Sequence, residues 1–392
     1  MISEAEARAK ILEAVRTLPP RKVSILQALD YFAAEDYFAR LPLPNFDNSA
    51  MDGYAVLASD CKPGKRLRVT GEQPAGVDRK LRVSNCEAIR IFTGAPMPQG
   101  ADAIVMQEDV TRDGDAIVVN VDVDVEESVR KRGCDLGQGQ KILGAGERIR
   151  ATTLALLASQ GFAEVLVGGE VRVAMISTGD ELAKPGEELQ PGQIYDSNSL
   201  LLQSLLKRSD VVVASAENCR DDADSLRKAI QSAAKNEILI VSGGVSVGEH
   251  DLVQSTLRDL GAKIDIWRVA IKPGKPFLFG QLGKCFAFGL PGNPVSAFVT
   301  FLQFVRPAIL KMMGASNLDL PKMPAKLTID LTNDSDRAHY LRGKLENGSF
   351  APVGRQESHA LFGLSQSNAL LRVEVGESLK AGETVDVQVW EQ

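Results

Sequence analysis

The spacing of apolar residues changes several times along this chain, and each change marks an expected element. Over residues 3–17, Ile11, Leu12 and Val15 recur at helical intervals behind Ser3, a residue type that caps helix starts, so an amphipathic helix is predicted. A second helical segment is predicted near Ser24–Tyr37. The run Leu41-Pro42-Leu43-Pro44-Asn45-Phe46 then stops any helix and reads as a linker. From residue 46 to 135 the period shortens. The runs Gly53–Leu57, Leu67–Thr70, Ala88–Phe92, Ala103–Gln107 and Ala116–Val121, separated by Gly, Pro and Asp, predict a small β-rich domain. Helical spacing returns at Thr152–Gln160, where Gly161 suits the position just past a helix end. The expected arrangement is a discontinuous domain, 1–45 with 136–170, interrupted by an inserted domain at 46–135.

From 171 to 317 strand and helix patterns alternate. Strands are predicted at Val171–Ile176, Val211–Ala214, Ile238–Val241, Ile264–Val269 and Cys285–Gly289. Helices are predicted at Ser199–Arg208, Asp222–Ala234 and Leu252–Leu260, and a long one after Pro294. Such alternation implies an α/β domain with a mostly parallel sheet and sites at the carboxyl ends of its strands. Residues 318–392 return to β-like runs, Ala325–Leu331, Leu370–Val375 and Thr384–Trp390, and predict a small C-terminal β domain. The fold class expected is multidomain α/β plus β.

Composition narrows the partners. A net charge of −6 and a pI near 5.4 argue against a nucleic-acid binder. No apolar run is read as long enough to span a membrane. The start, Met1 to Arg8, is charged and helical, unlike a signal peptide. Five cysteines lie far apart without a CxxC spacing, as free thiols of a cytoplasmic protein would. Three histidines leave no His-rich zinc site.

The candidate chemistry sits in loops. Ser242-Gly243-Gly244-Val245-Ser246-Val247-Gly248-Glu249-His250-Asp251 joins a buried strand to a helix, a geometry that gathers backbone N–H groups into an anion site. It lacks the Walker and dinucleotide spacings. Ser177-Thr178-Gly179-Asp180-Glu181-Leu182 and Asp221-Asp222 add carboxylates at strand ends, suited to Mg²⁺ or to solvated turns, with Asp222 a natural helix cap. Ile271-Lys272-Pro273-Gly274-Lys275-Pro276, with Arg268 just before it, is a stiffened cationic loop that loses little entropy on binding an oxyanion. Leu290-Pro291-Gly292-Asn293-Pro294 opens a helix with Asn293 as N-cap and Pro294 in the first turn. Acids and anion-ready loops together point to phosphoryl or adenylyl chemistry with a divalent metal.

Six motifs, Asn48–Val56, Arg90–Pro96, Ser177–Leu182, Ser242–Asp251, Ile271–Pro276 and Leu290–Ala297, resemble in sequence and in order those of the MoeA/gephyrin E-domain family of molybdopterin molybdotransferases. The resemblance implies four domains, the last a β-barrel, and a homodimer whose cleft takes adenylylated molybdopterin, molybdate as substrate and Mg²⁺, releasing AMP. It implies catalytic roles for Asp52, Thr93, Asp135, Glu181, Asp221 and Asp251, with Asp251 and Glu181 as metal ligands. It places Ser242, Gly243, Gly244, Ser246, Arg268, Lys272, Lys275, Pro291, Asn293, Pro294, Arg342 and either Ser365 or Ser367 on the substrate. An adenylyltransferase is an implied supplier of that substrate. Two other readings remain open at this stage: that adenylyltransferase activity itself, which shares the α/β fold, and a non-enzymatic scaffold as in gephyrin.

Overall fold

Ser3 caps the first helix, Glu4–Ala14, by accepting from the Glu6 N–H, and Ala7 and Ile11 are buried beneath it. The computed structural model describes residues 1–209, 211–244 and 252–390. The chain divides into two compact units: Asp36–Gly144 with Thr152–Ala163, and Met1–Glu35 with Ala145–Ala151 and Glu164–Gln392.

In the first of these units, six strands form one sheet in the order Ala103–Met106, Gly53–Val56, Glu87–Ile91, Arg66–Gln73, Ala116–Val119, Val110–Asp113. Tyr54, Val56, Leu67, Ala88, Val105, Ile117 and Val119 fill one face. Gly53 is required where it stands, because a Cβ there would lie 2.1 Å from the Val105 carbonyl oxygen. The helix Ala151–Ser159 ends at Gly161, whose φ of 76° is the left-handed conformation expected past a helix end.

The other unit holds the α/β sheet, ordered Val212–Cys219, Arg172–Thr178, Ile238–Ser242, Cys285–Leu290, Leu278–Leu282, Lys263–Trp267. Its first four strands are parallel. The strand Leu278–Leu282 escaped the sequence pattern because a tight hairpin at Gly283 joins it to the next, and it turns the sheet's end antiparallel. Phe277, Phe279, Phe288 and Phe304 lie at the centre of the core, the rings of Phe277 and Phe304 4.6 Å apart.

After Pro294 the chain runs helically to Met312, with a π-helical stretch at Phe301–Val305. This 19-residue segment is apolar and long enough for a bilayer, contrary to the expectation that no such run exists. Within it, 89% of an 18-residue window is buried in the protein, which accounts for its hydrophobicity.

The helix expected near Ser24–Tyr37 is absent. Arg21–Ser24 pairs as a strand with Glu164–Val167, and only the turn Ile25–Gln27 is helical. Asp30 is left-handed at φ 66°, and Phe32 and Ala33 bridge to Arg148 and Val167. Pairing with distant strands overrides the local spacing here.

The C-terminal strands Lys322–Leu327, Ala338–Glu346, Ser349–Pro352, Ala369–Val373 and Thr384–Val389 close into a barrel, sealed by pairing of Ala338–Glu346 with Ala369–Val373. The short strand Ile271–Lys272 lies parallel to the barrel strand Ala338–Glu346, with Lys272 in register with His339.

Candidate functional site

Parallel strands deliver their loops to one end of the sheet, and there the side chains interlock. Ser177 Oγ donates to Asp196 Oδ2 (2.6 Å), and Asp196 Oδ1 accepts from the Ser199 N–H (2.9 Å), capping the helix Ser197–Lys207. Thr178 Oγ1 donates to Asp221, whose own N–H donates to Asp180 Oδ1 (3.3 Å). Asn198 Nδ2 donates to the Gly292 carbonyl (2.7 Å) and to Ser242 Oγ (3.3 Å), while its Oδ1 is buried with no hydrogen-bond partner among the described residues. Gly243 donates to the Leu290 carbonyl, and a Cβ on it would lie 2.4 Å from the Thr178 carbonyl oxygen. A Cβ on Gly244 would meet the Thr178 and Val253 methyls at under 3 Å. These contacts explain why the stretch needs glycine. Ser246 and Asp251 lie outside the described residues.

Glu181 and Asp221 are exposed. Asp222 caps the helix Ala223–Ala233 by accepting from the Ser225 N–H, and that bond holds its carboxyl below the usual range. Asp222 is thus structural, as its position before a helix implies. Asn293 stands at the cap position of its helix, but its Nδ2 donates instead to Ser358 Oγ (2.9 Å), tying this loop to the barrel domain. Pro291 is buried behind that loop, and Pro294 occupies the first turn.

The lysine loop lies beside the barrel. Lys272 and Lys275 are partly buried, and Gly274 (φ 119°) presses against Thr300 so closely that a Cβ would stand 2.7 Å from Thr300 Cγ2. Arg268, also left-handed at φ 79°, precedes it. On the barrel strand, Arg342 is 0% exposed, and all three of its guanidinium nitrogens are buried with no hydrogen-bond partner among the described residues. Burial makes its proton easier to lose than an ordinary arginine's, opposed by the Glu357 carboxylate. Gln356 clamps its backbone, accepting from the Arg342 N–H and donating to the Arg342 carbonyl, both at 3.0 Å. Gly363 leaves room for the side chain, since a Cβ there would be 3.2 Å from Nε. Ser367 is buried with its hydroxyl bonded to the Gly363 carbonyl, whereas Ser365 is exposed and bonded to Phe362.

In the other unit, Asp52 Oδ1 accepts from both the N–H and the hydroxyl of Thr93, each at 2.8 Å, and these bonds hold its carboxyl below the ordinary range. Asp135 is exposed, its N–H bonded to the Leu43 carbonyl. No contact joins its carboxylate to Asp52 among the described residues.

Asp196, Asn198, Gln356 and His339 are absent from the sequence-derived set. Asp196 and Asn198 could have been found from an acid opening a helix; His339 and Gln356 carry no local signal. Among the described residues no group of three or more His, Cys, Asp or Glu side chains gathers to hold a metal. Mg²⁺ needs no such group, since it is commonly held by one or two carboxylates together with substrate phosphates, and the exposed Glu181 has the oxygen-donor chemistry for that.

Three family profiles match this chain: the MoeA N-terminal region (domain I and II) over residues 2–161, a probable molybdopterin binding domain over 174–311, and the MoeA C-terminal region (domain IV) over 324–390. A molybdopterin molybdenumtransferase of Haemophilus influenzae is 37% identical, covering 99% of this chain and 98% of its own. Molybdopterin molybdenumtransferase 2 of Mycobacterium tuberculosis is 34% identical over the whole of both chains. The crystal structure of a molybdopterin biosynthesis MoeA protein from Pyrococcus horikoshii is 31% identical, covers both chains fully and superposes with a TM-score of 0.83. Identity of this extent, over domains in the same order, shows that this chain belongs to the MoeA family.

Proposed function

We propose that this protein is a molybdopterin molybdenumtransferase that inserts molybdate into adenylylated molybdopterin, releasing AMP. The observation that carries the reading is Arg342. A fully buried guanidinium with no hydrogen-bond partner among the described residues is costly, and a bound oxyanion would satisfy it. Lys272 and Lys275 stand on the neighbouring stiffened loop, so molybdate would find its charge offset in a partly dry site, where such contacts exceed their strength in water. The names of full-length relatives support the same activity.

In this reading the cations bind and orient molybdate. Ser242, Gly243 and Gly244 present the pterin side, with the loop at Pro291 and Asn293 packed against them. Mg²⁺ would be held by Glu181 and Asp251, and would neutralise charge on the adenylyl phosphate. Asp52, with Thr93 holding it ionised, and Asp135 are assigned to the same reaction. Their position in the inserted region fits a homodimer in which partner subunits complete each other's clefts. A cytoplasmic location and delivery of the substrate by an adenylyltransferase belong to the same proposal.

The test is AMP release from adenylylated molybdopterin by the purified protein with Mg²⁺, with and without molybdate. Molybdate-dependent release is expected. Tight binding of the nucleotide without release under any condition would overturn the enzymatic reading.

A further inference from the structure

The cation cluster contains a side chain that the reading above does not use. His339 lies on the barrel strand Ala338–Glu346, in register with Lys272 on the adjoining strand. Its Nε2 is buried with no hydrogen-bond partner among the described residues. Three charged groups bear on the ring: Lys272, Arg337 just before it, and Arg342 on its own strand. On the adjoining barrel strand its partner in register is Val373, which is apolar. The nearby carboxylates are engaged elsewhere: Asp336 accepts from Arg337 Nε (2.9 Å), and Glu374 pairs with Arg372. Arg337 also donates to the Ile271 carbonyl, which fixes it beside the lysine loop. His339 therefore has Lys272 in register on one adjoining strand and an apolar residue in register on the other.

We propose that His339 is the proton-coupled member of the oxyanion site, neutral while the site is empty and protonated when a tetrahedral oxyanion enters. The inference rests on the oxyanion reading of Arg342 and Lys272 and deepens it. In the empty site a proton on His339 would add a further positive charge to three that already repel one another. Burial is the larger cause and the cations act in the same direction, and together they hold the ring down to about 4, against an ordinary value of 6.5. A dianion reverses the local field, and the ring then gains by charging. The proton comes from solvent and goes to the free ring nitrogen; no covalent bond is broken. Binding of one oxyanion thus takes up a proton whenever the pH lies between the empty-site and filled-site midpoints. In that window affinity tightens by up to about tenfold for each pH unit of acidification.

The test uses the full chain labelled at histidine, whose three imidazoles give few resonances, with His339→Gln to assign the His339 signal. Sodium molybdate is the probe, and sodium sulfate, which stays dianionic across the range, is the control. Without anion the His339 midpoint is expected well below 6.5. On saturation it should rise by at least about one pH unit. Calorimetry in buffers of different ionisation enthalpy should show proton uptake on binding, and His339→Gln should abolish that uptake while still binding anion at high pH. If molybdate saturates the protein and the His339 midpoint does not move, or if His339→Gln keeps the proton uptake, the inference is overturned while the oxyanion reading stands. If neither anion binds, both fall together.

Discussion

Replacing Arg342 by methionine separates its two effects, because the bulk stays and the charge goes. A buried cation with no hydrogen-bond partner among the described residues weakens the folded state, so in sulfate- and phosphate-free buffer Arg342→Met should be as stable as the parent, or more stable by about 1–3 kcal/mol. The same change should lower molybdate-dependent AMP release by at least about a hundredfold. Thermal unfolding and the release assay on one preparation check both. His339 makes a related prediction about pH. Its folded midpoint lies below its unfolded one, so the unfolded chain binds the proton more readily between 6.5 and about 4. That contribution to stability is present above the upper value and is lost as pH falls through the window. His339→Gln should flatten this part of the curve, as should saturating molybdate, and denaturant unfolding across pH would show it.

Elements decide how closely those residues can approach. The lysine loop rests on the helix after Pro294 through Gly274, whose left-handed backbone and contact with Thr300 leave no space for a methyl group. Gly274→Ala should cost about 1–3 kcal/mol and weaken molybdate binding, measurable by urea unfolding and by titration. The loop itself is legible in sequence, because two prolines and a glycine around lysines state a stiff backbone and a charge. Its seat is not legible, since nothing within residues 271–276 names Thr300. The same division holds elsewhere. Short apolar runs bounded by Gly, Pro and Asp identify strands such as Ala103–Met106 and Ile238–Ser242. The segment Ser24–Tyr37 has helical spacing, yet Ser24 ends a strand paired with Glu164–Val167 and Ala33 bridges to Val167, partners over a hundred residues away that local periodicity cannot see. Asp52 and Thr93 are legible as motif residues, but their two shared hydrogen bonds belong to the sheet that brings their strands side by side. Arg342 carries no sign in sequence that its guanidinium is wholly buried.

Across the larger unit, the first residues of the chain join the pieces that carry charge. Ile2 bridges to Val269, just before the lysine loop, and accepts from the Ala270 N–H (2.9 Å). Two residues later, Glu4 accepts from Arg372 Nε (2.9 Å) and from the Tyr340 hydroxyl, on the strand that bears His339 and Arg342. Glu4 is largely shielded and Arg372 partly exposed, so the pair is worth less than a fully buried one. Glu4→Ala should destabilise by about 1–3 kcal/mol and loosen the register between the loop and the barrel, seen as weaker molybdate binding. Trp390, stacked edge-on against Phe298 with ring centroids 4.9 Å apart, offers a fluorescence report on that boundary.

The closed barrel has a consequence for how the protein is made. Its ring is complete only when Thr384–Val389 pairs with Lys322–Leu327 and Ala369–Val373. Of the five strands this is the last to leave the ribosome. Until then the hydrogen bonds that hold Leu370 and Leu371 are unmet on one side, and the strand carrying Arg342 lacks its settled neighbour. The sheet of the α/β region can form from earlier residues, but the barrel wall that carries Arg342 cannot. Capacity to hold molybdate at the proposed site should therefore arise only late in synthesis.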